Sequence, residues 1–156
     1  MCVFISIDVS DLQNIGDRLL VVYDGVCGFC NLSVRWFLDR DRHDRLRFVP
    51  SDSPKVATLF ARHGLNPAIA TGNSGTILVA QALESSAERL LFRFDAVLAM
   101  LRELPGPWPA FAELLRIVPR PLRDLGYRLV ARYRYRIWGR LDSCPIPTAQ
   151  ERARFL

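Results

Sequence analysis

Lysine is almost missing from this chain. Of the 21 lysines and arginines in its 156 residues, only Lys55 is a lysine, so nearly all positive charge is carried by guanidinium groups. The skew runs through the whole chain and reads as compositional bias rather than a demand for guanidinium chemistry. Histidine is as scarce. His43 falls in a charged turn and His63 near a helix end, and neither is placed to form a nucleophile–base pair. No run approaches the roughly 18–20 apolar residues that a membrane-spanning helix needs. Met1-Cys-Val-Phe-Ile-Ser-Ile-Asp8 has no basic start, only a short apolar stretch and an early acid, which is not the pattern of a secretory signal. A cytoplasmic location is therefore expected. Repeats and low-complexity tracts are absent too, which excludes solenoid arrays and long linkers.

What is present suits a globular protein. Half the residues are apolar and 24% are charged. A chain of this length is expected to form one domain, 1–156, hiding about 68–70% of its unfolded surface. The net charge of +5 is unevenly spread: residues 1–115 hold 11 basic and 13 acidic side chains, residues 116–156 hold 10 and 3. Basicity belongs to the C-terminal quarter.

The periodicity changes along the chain. Leu19 to Tyr23 is a continuous apolar, β-prone run, as in a strand buried on both faces, and Asp24-Gly25 ends it. From Gly28 to Arg40 the apolar spacing becomes helical, and Leu46 to Pro50 reads as a second strand. A strand, a helix and a strand in that order imply a right-handed crossover and a parallel pair. Ser53-Pro54 starts a second helix that stops at Gly64. Strands are expected at Thr76–Ala80 and Arg89–Arg93, then a helix over Ala96–Leu104 capped by Asp95. Val3–Ile7 is read as an edge strand or an extension. Beyond Pro105-Gly-Pro-Trp-Pro109 the chain reads as helical at 110–118 and 122–140, then irregular over Asp142–Pro147 before a short terminal helix. The order is that of an α/β, thioredoxin-like core over residues 18–104: about four strands in a mixed sheet, with flanking helices. Residues 105–156 form a helical, Arg-rich extension.

Two thiols stand at the first strand-to-helix junction, in Asp24-Gly-Val-Cys-Gly-Phe-Cys30. In a reducing compartment a close pair is more often catalytic or metal-binding than a structural staple. A helix N-terminus carries about half a positive charge and unpaired N–H groups, which favour a thiolate. Cys27, at the helix start, is thus expected to be the exposed nucleophile and Cys30, one turn inside, the resolving thiol. Gly28 would let a substrate backbone approach, and Phe29 would offer it an apolar contact. Asp24 has two readings: a base or proton relay for Cys30, or an Asx turn bonding the N–H of Val26 or Cys27. Structural zinc needs four ligands, and Cys2, His43, His63 and Cys144 are scattered. Covalent haem attachment is excluded because Asn31, not His, follows Cys30. Binding of a soft metal such as copper(I), or a purely structural pair, remain as alternatives. No prosthetic cofactor is needed for dithiol chemistry.

These residues resemble the DCC family of predicted thiol-disulfide oxidoreductases, named for its Asp-Cys-Cys trio. The likeness takes in Asp24, Cys27 and Cys30, the Arg47-Phe-Val-Pro50 strand, the Asp95-Ala-Val-Leu98 helix start, the Arg-rich helix and the tail Cys144-Pro-Ile-Pro-Thr…Arg152-Ala-Arg-Phe-Leu156. It implies a thioredoxin-like fold and disulfide exchange, with Asp24 as part of the site. Two departures are visible. Phe94 stands where members often have a small polar residue. Ser74-Gly75-Thr76 stands before the third strand, where thioredoxins carry a cis-proline.

The expected partners are a disulfide-containing or dithiol substrate, taken to be a protein, and a second dithiol system as electron donor. Nucleic acid is not expected. The helix over 122–140 offers a different class of function, a membrane-surface or partner-binding module. Its apolar side, with Leu122, Leu125, Leu129, Val130, Tyr133, Ile137 and Trp138, is expected to pack on the sheet while its arginines stay in water. Peripheral membrane contact is the ranked alternative. Cys144 is read as a small packing residue before a third redox thiol, and Cys2 as incidental.

Overall fold

The strand β1, Leu19–Tyr23, is buried along its whole length and divides the interior in two. Side chains alternate across a strand, so Leu19, Val21 and Tyr23 enter one apolar cluster while Leu20 and Val22 enter the other. The computed structural model describes residues 15–66, 69, 76–83, 85–142, 148 and 151–156. The expectations for Val3–Ile7, Cys2, Ser74-Gly75 and Cys144 lie outside the described residues.

Helix α1, Gly28–Arg40, links β1 to β2, Leu46–Pro50, which pairs with it in parallel from Leu19↔Leu46 to Tyr23↔Pro50. Helix α2, Pro54–Arg62, starts behind Ser53, and Gly64 follows in the left-handed region at φ +61°. Strand β3, Leu78–Gln81, runs antiparallel to β1, and β4, Arg89–Phe92, antiparallel to β3. The sheet order is β2-β1-β3-β4. A four-stranded mixed sheet with helices on both faces and this connectivity is a thioredoxin-like fold. Helix α2 covers one face through Val56, Leu59 and Phe60. Helix α1 covers the other through Val34 and Phe37, beside α3, Arg93–Glu103.

Two further helices follow, α4 at Trp108–Ile117 and α5 at Arg120–Trp138. The tail then returns to the sheet. Leu156 N donates to Phe48 O at 2.9 Å, and the Phe155 ring packs on Phe48 and Tyr23.

Three local expectations differ. The third strand begins two residues later than Thr76, because Ile77 N is taken by the Tyr127 hydroxyl at 2.9 Å rather than by a neighbouring strand. Helix α3 begins at Arg93, so Asp95 lies inside its first turn and pairs with Arg123 at 3.2 Å instead of capping. The largest difference is in α5. Its leucines do not pack on the sheet: Leu122, Leu125, Leu129 and Ile137 are exposed, while Arg123 and Arg134 are buried. The helix is turned so that two arginines face the interior, where Asp95 and Asp24 meet them.

Candidate active site

The β1–α1 junction is built by short-range bonds. Cys27 is the N-cap of α1, with extended φ and ψ of −87° and 118°. Its Sγ accepts the Cys30 N–H at 3.2 Å, so a sulfur takes the place of the usual capping oxygen. Asn31 ties the loop down from the first helical turn: its Nδ2 donates to Gly25 O at 2.8 Å and to Cys27 O at 3.0 Å. Asp24 Oδ1 accepts from Val26 N at 3.2 Å, which is the Asx turn that was one of its two readings.

The other oxygen of Asp24 faces α5. Arg134 Nη2 donates to Oδ2 at 3.1 Å, and the Tyr135 hydroxyl donates to the same oxygen. Arg134 Nη1 stands 3.3 Å from Cys30 Sγ. Asp24 is 6% exposed and the Arg134 side chain 4%, so the ion pair is shielded from water and from salt. One guanidinium thus bridges the acid and a thiol that lies 104 residues away in the chain.

This environment separates the two sulfurs. The Cys27 thiol is lowered to about 7, first by the hydrogen bond it receives from the Cys30 side chain and then by the Cys30 N–H and the Arg134 charge; burial opposes the shift. The Cys30 thiol is pushed up, chiefly by that same hydrogen bond and by burial, with Arg134 pulling the other way. Tyr135 is pushed up to about 12 by burial and its bond to Asp24, so it stays a protonated donor at neutral pH. A dithiol in which one sulfur ionises near neutrality while the other holds its proton is equipped for stepwise exchange.

Access differs from expectation. Cys27 is fully buried, and Cys30 is the partly exposed thiol. The cover is the chain's own segment after α5. Leu141 N donates to Val26 O at 2.8 Å, Gly28 N donates to Gly139 O at 3.4 Å, and Cys27 is bridged to Arg140 in antiparallel fashion. A Cβ on Gly28 would collide with the Trp138 carbonyl oxygen. The glycine therefore serves close approach, but of the protein's own backbone in place of a substrate's. Phe29 is likewise engaged by Trp138, ring centroids 4.7 Å apart.

Sequence reasoning placed Asp24, Cys27 and Cys30 together; it did not find Arg134, Tyr135 or the loop-tying role of Asn31. The run Arg132-Tyr-Arg-Tyr-Arg136 was the available signal, but compositional bias masked it. His63 pairs with Glu88 instead of approaching the thiols. Among the described residues no group of three His, Cys, Asp or Glu side chains is placed to hold a metal ion, and no helix is long and apolar enough to cross a membrane.

Residues 21–140 match the family model of DCC1-like thiol-disulfide oxidoreductases. A DCC family protein of Arabidopsis thaliana, described as chloroplastic, is 33% identical over 129 residues, covering 83% of this chain and 70% of the relative. The uncharacterized protein YuxK of Bacillus subtilis (strain 168) is 31% identical over 144 residues, covering 92% and 97%. No solved structure matches. The chain belongs to the DCC1-like thiol-disulfide oxidoreductase family, which suggests a redox function for the Cys27–Cys30 pair.

Proposed function

We propose that this member of the DCC1-like family exchanges disulfides with Cys27 as the attacking thiol, Cys30 as the resolving thiol and Asp24 as the group that positions Arg134. One observation carries the reading: Cys27 Sγ caps α1 through the Cys30 N–H while Arg134 stands against Cys30 Sγ. In the reducing direction the Cys27 thiolate attacks a substrate disulfide. One S–S bond forms as another breaks, and the second substrate sulfur leaves as a thiolate. Cys30 gives its proton to that thiolate or to water, then attacks Cys27 Sγ. This second exchange releases the remaining substrate thiolate, and two electrons have passed from the dithiol to the substrate. Arg134 offsets the negative charge that gathers on Cys30 Sγ as its proton leaves. A second dithiol system, as electron donor, returns the pair to its reduced form.

Cys27 takes part only when the Gly139–Leu141 segment gives way. The backbone groups of Val26 and Gly28 that this segment occupies then become free to pair with an extended substrate. A protein disulfide is the substrate class that suits such pairing.

Thiol trapping with mass spectrometry across a glutathione titration tests the proposal. A reversible Cys27–Cys30 bridge titrating as a two-electron couple is expected, and Cys30→Ser should trap mixed disulfides through Cys27. Failure of the bridge to form, together with stoichiometric bound metal on purification, would overturn it in favour of a metal site.

A further inference from the structure

Helix α5 is turned inside out relative to its sequence. Its two buried arginines, Arg123 and Arg134, are held by Asp95 and Asp24, and the opposite face carries the helix's aliphatic side chains. Leu122, Leu125, Leu129 and Ile137 recur at helical spacing and therefore share that face. Leu114 and Ile117 continue it onto α4. Among the described residues, eleven of the twelve large apolar side chains left exposed lie between Phe111 and Trp138. Exposure is high: Ile117 77%, Ile137 65%, Leu122 59%. Water alone does not favour so continuous an apolar surface.

We infer that the outward face of α4 and α5 docks on an anionic phospholipid surface. Exposed arginines border the stripe, with Arg128, Arg132 and Arg136 on α5 and Arg140 just beyond it. The stretch 111–140 holds eight arginines against Glu113 and Asp124. An apolar stripe beside a cationic one, on a helix that is not apolar enough to span, is the composition of a helix that lies in the bilayer interface. Long arginine stems can stay beside the acyl region while their heads reach phosphates. The charge argues against a second copy on this face, since two such surfaces would bring rows of arginine together. At nineteen residues, α5 offers a strip about 28 Å long.

A second feature fits the same occupant. At the α4–α5 corner a cavity of about 580 Å³ is lined by Arg89, Arg102, Arg116, Arg120 and Arg123, with Asp95 as its single acid. Arg123 is 9% exposed, and its Nε has no hydrogen-bond partner. Arg116 and Arg120 of this lining are exposed, and although Glu113 and Asp95 pair with them, they carry the positive charge of α5 round to the corner with α4. At the other end of the stripe Trp138 rests on Phe29, which places the thiol site next to the docked face.

Co-sedimentation of the full chain with vesicles tests this inference. One set contains phosphatidylglycerol in phosphatidylcholine, the other phosphatidylcholine alone. Binding to the anionic vesicles at low salt is expected, weakening as salt rises, with little binding to the neutral ones. Leu125→Ser/Leu129→Ser alters only exposed positions and should reduce binding at least tenfold. Arg128→Gln/Arg132→Gln/Arg136→Gln should weaken binding about fivefold per charge removed. No anionic binding at low salt, or equal binding to both vesicle types, would overturn the inference. So would a solution dimer that the serine variant turns into a monomer, because the face would then belong to a second copy. The vesicle result is independent of disulfide exchange, so failure of either proposal leaves the other standing.

Discussion

Arg134 is the residue on which the two thiols and the acid converge. Its charge is one of the influences that lower Cys27, and its Nη1 stands 3.3 Å from Cys30 Sγ. A lowered thiol is ionised above its own pKa, so thiolate is present above about 7 and is lost as pH falls through that value. Arg134→Gln removes a positive charge and should move the midpoint upward, leaving roughly three- to tenfold less thiolate at a fixed pH below it. Arg134→Lys keeps the charge and should restore part of the loss. Thiolate ultraviolet absorbance across a pH titration checks both, and an unmoved midpoint in Arg134→Gln would remove Arg134 from the electrostatics of the pair. The position was hidden in the sequence by the abundance of arginine around it. Nothing local distinguishes Arg134 from Arg132 or Arg136, and only burial against Asp24 separates them.

At the scale of elements, the junction of β1 and α1 is a local structure with a non-local cover. Leu19–Tyr23, Gly28–Arg40 and Leu46–Pro50 have the same bounds in the sequence reading and in the structure. Their patterns arise from neighbours within the element: full burial along a central strand, a helical spacing, and turn residues between. The cover, Gly139–Leu141, had no such signal, because a short irregular segment is positioned by the loop it binds. Leu141→Pro deletes the N–H that donates to Val26 O while leaving both cysteines intact. Cys27 should then react several-fold faster with iodoacetamide at constant pH, with Cys30 changed less. Equal rates in the variant and the parent would show that this bond does not control access.

At the scale of the whole molecule, contacts spread along the C-terminal third join it to the core, three of them through buried or partly buried side chains of different helices and the tail. Arg134 enters the thiol site, Ala112 is buried with α3, and Phe155 packs on Tyr23 and Phe48. Phe155→Ala should destabilise the chain by about 2 kcal/mol, less than a fully buried phenylalanine because this ring is only partly covered. Urea unfolding measures it; a change within 0.5 kcal/mol, the usual range for surface substitutions, would mean that the tail contributes no core.

Local spacing was enough to read the core's strands and helices, apart from the starts of β3 and α3, and to place Cys27 and Cys30 at a helix start. Each depends on spacing within a few residues, which covalent geometry and helix or strand period convert directly into position. Which thiol is covered, which arginine meets Asp24 and which side of α5 faces outward depend on contacts between distant parts of the chain. An amphipathic pattern announces two faces without ordering them when each can be satisfied. Leucines are satisfied by any apolar surface, whereas Arg123 and Arg134 can be buried only where Asp95 and Asp24 already stand.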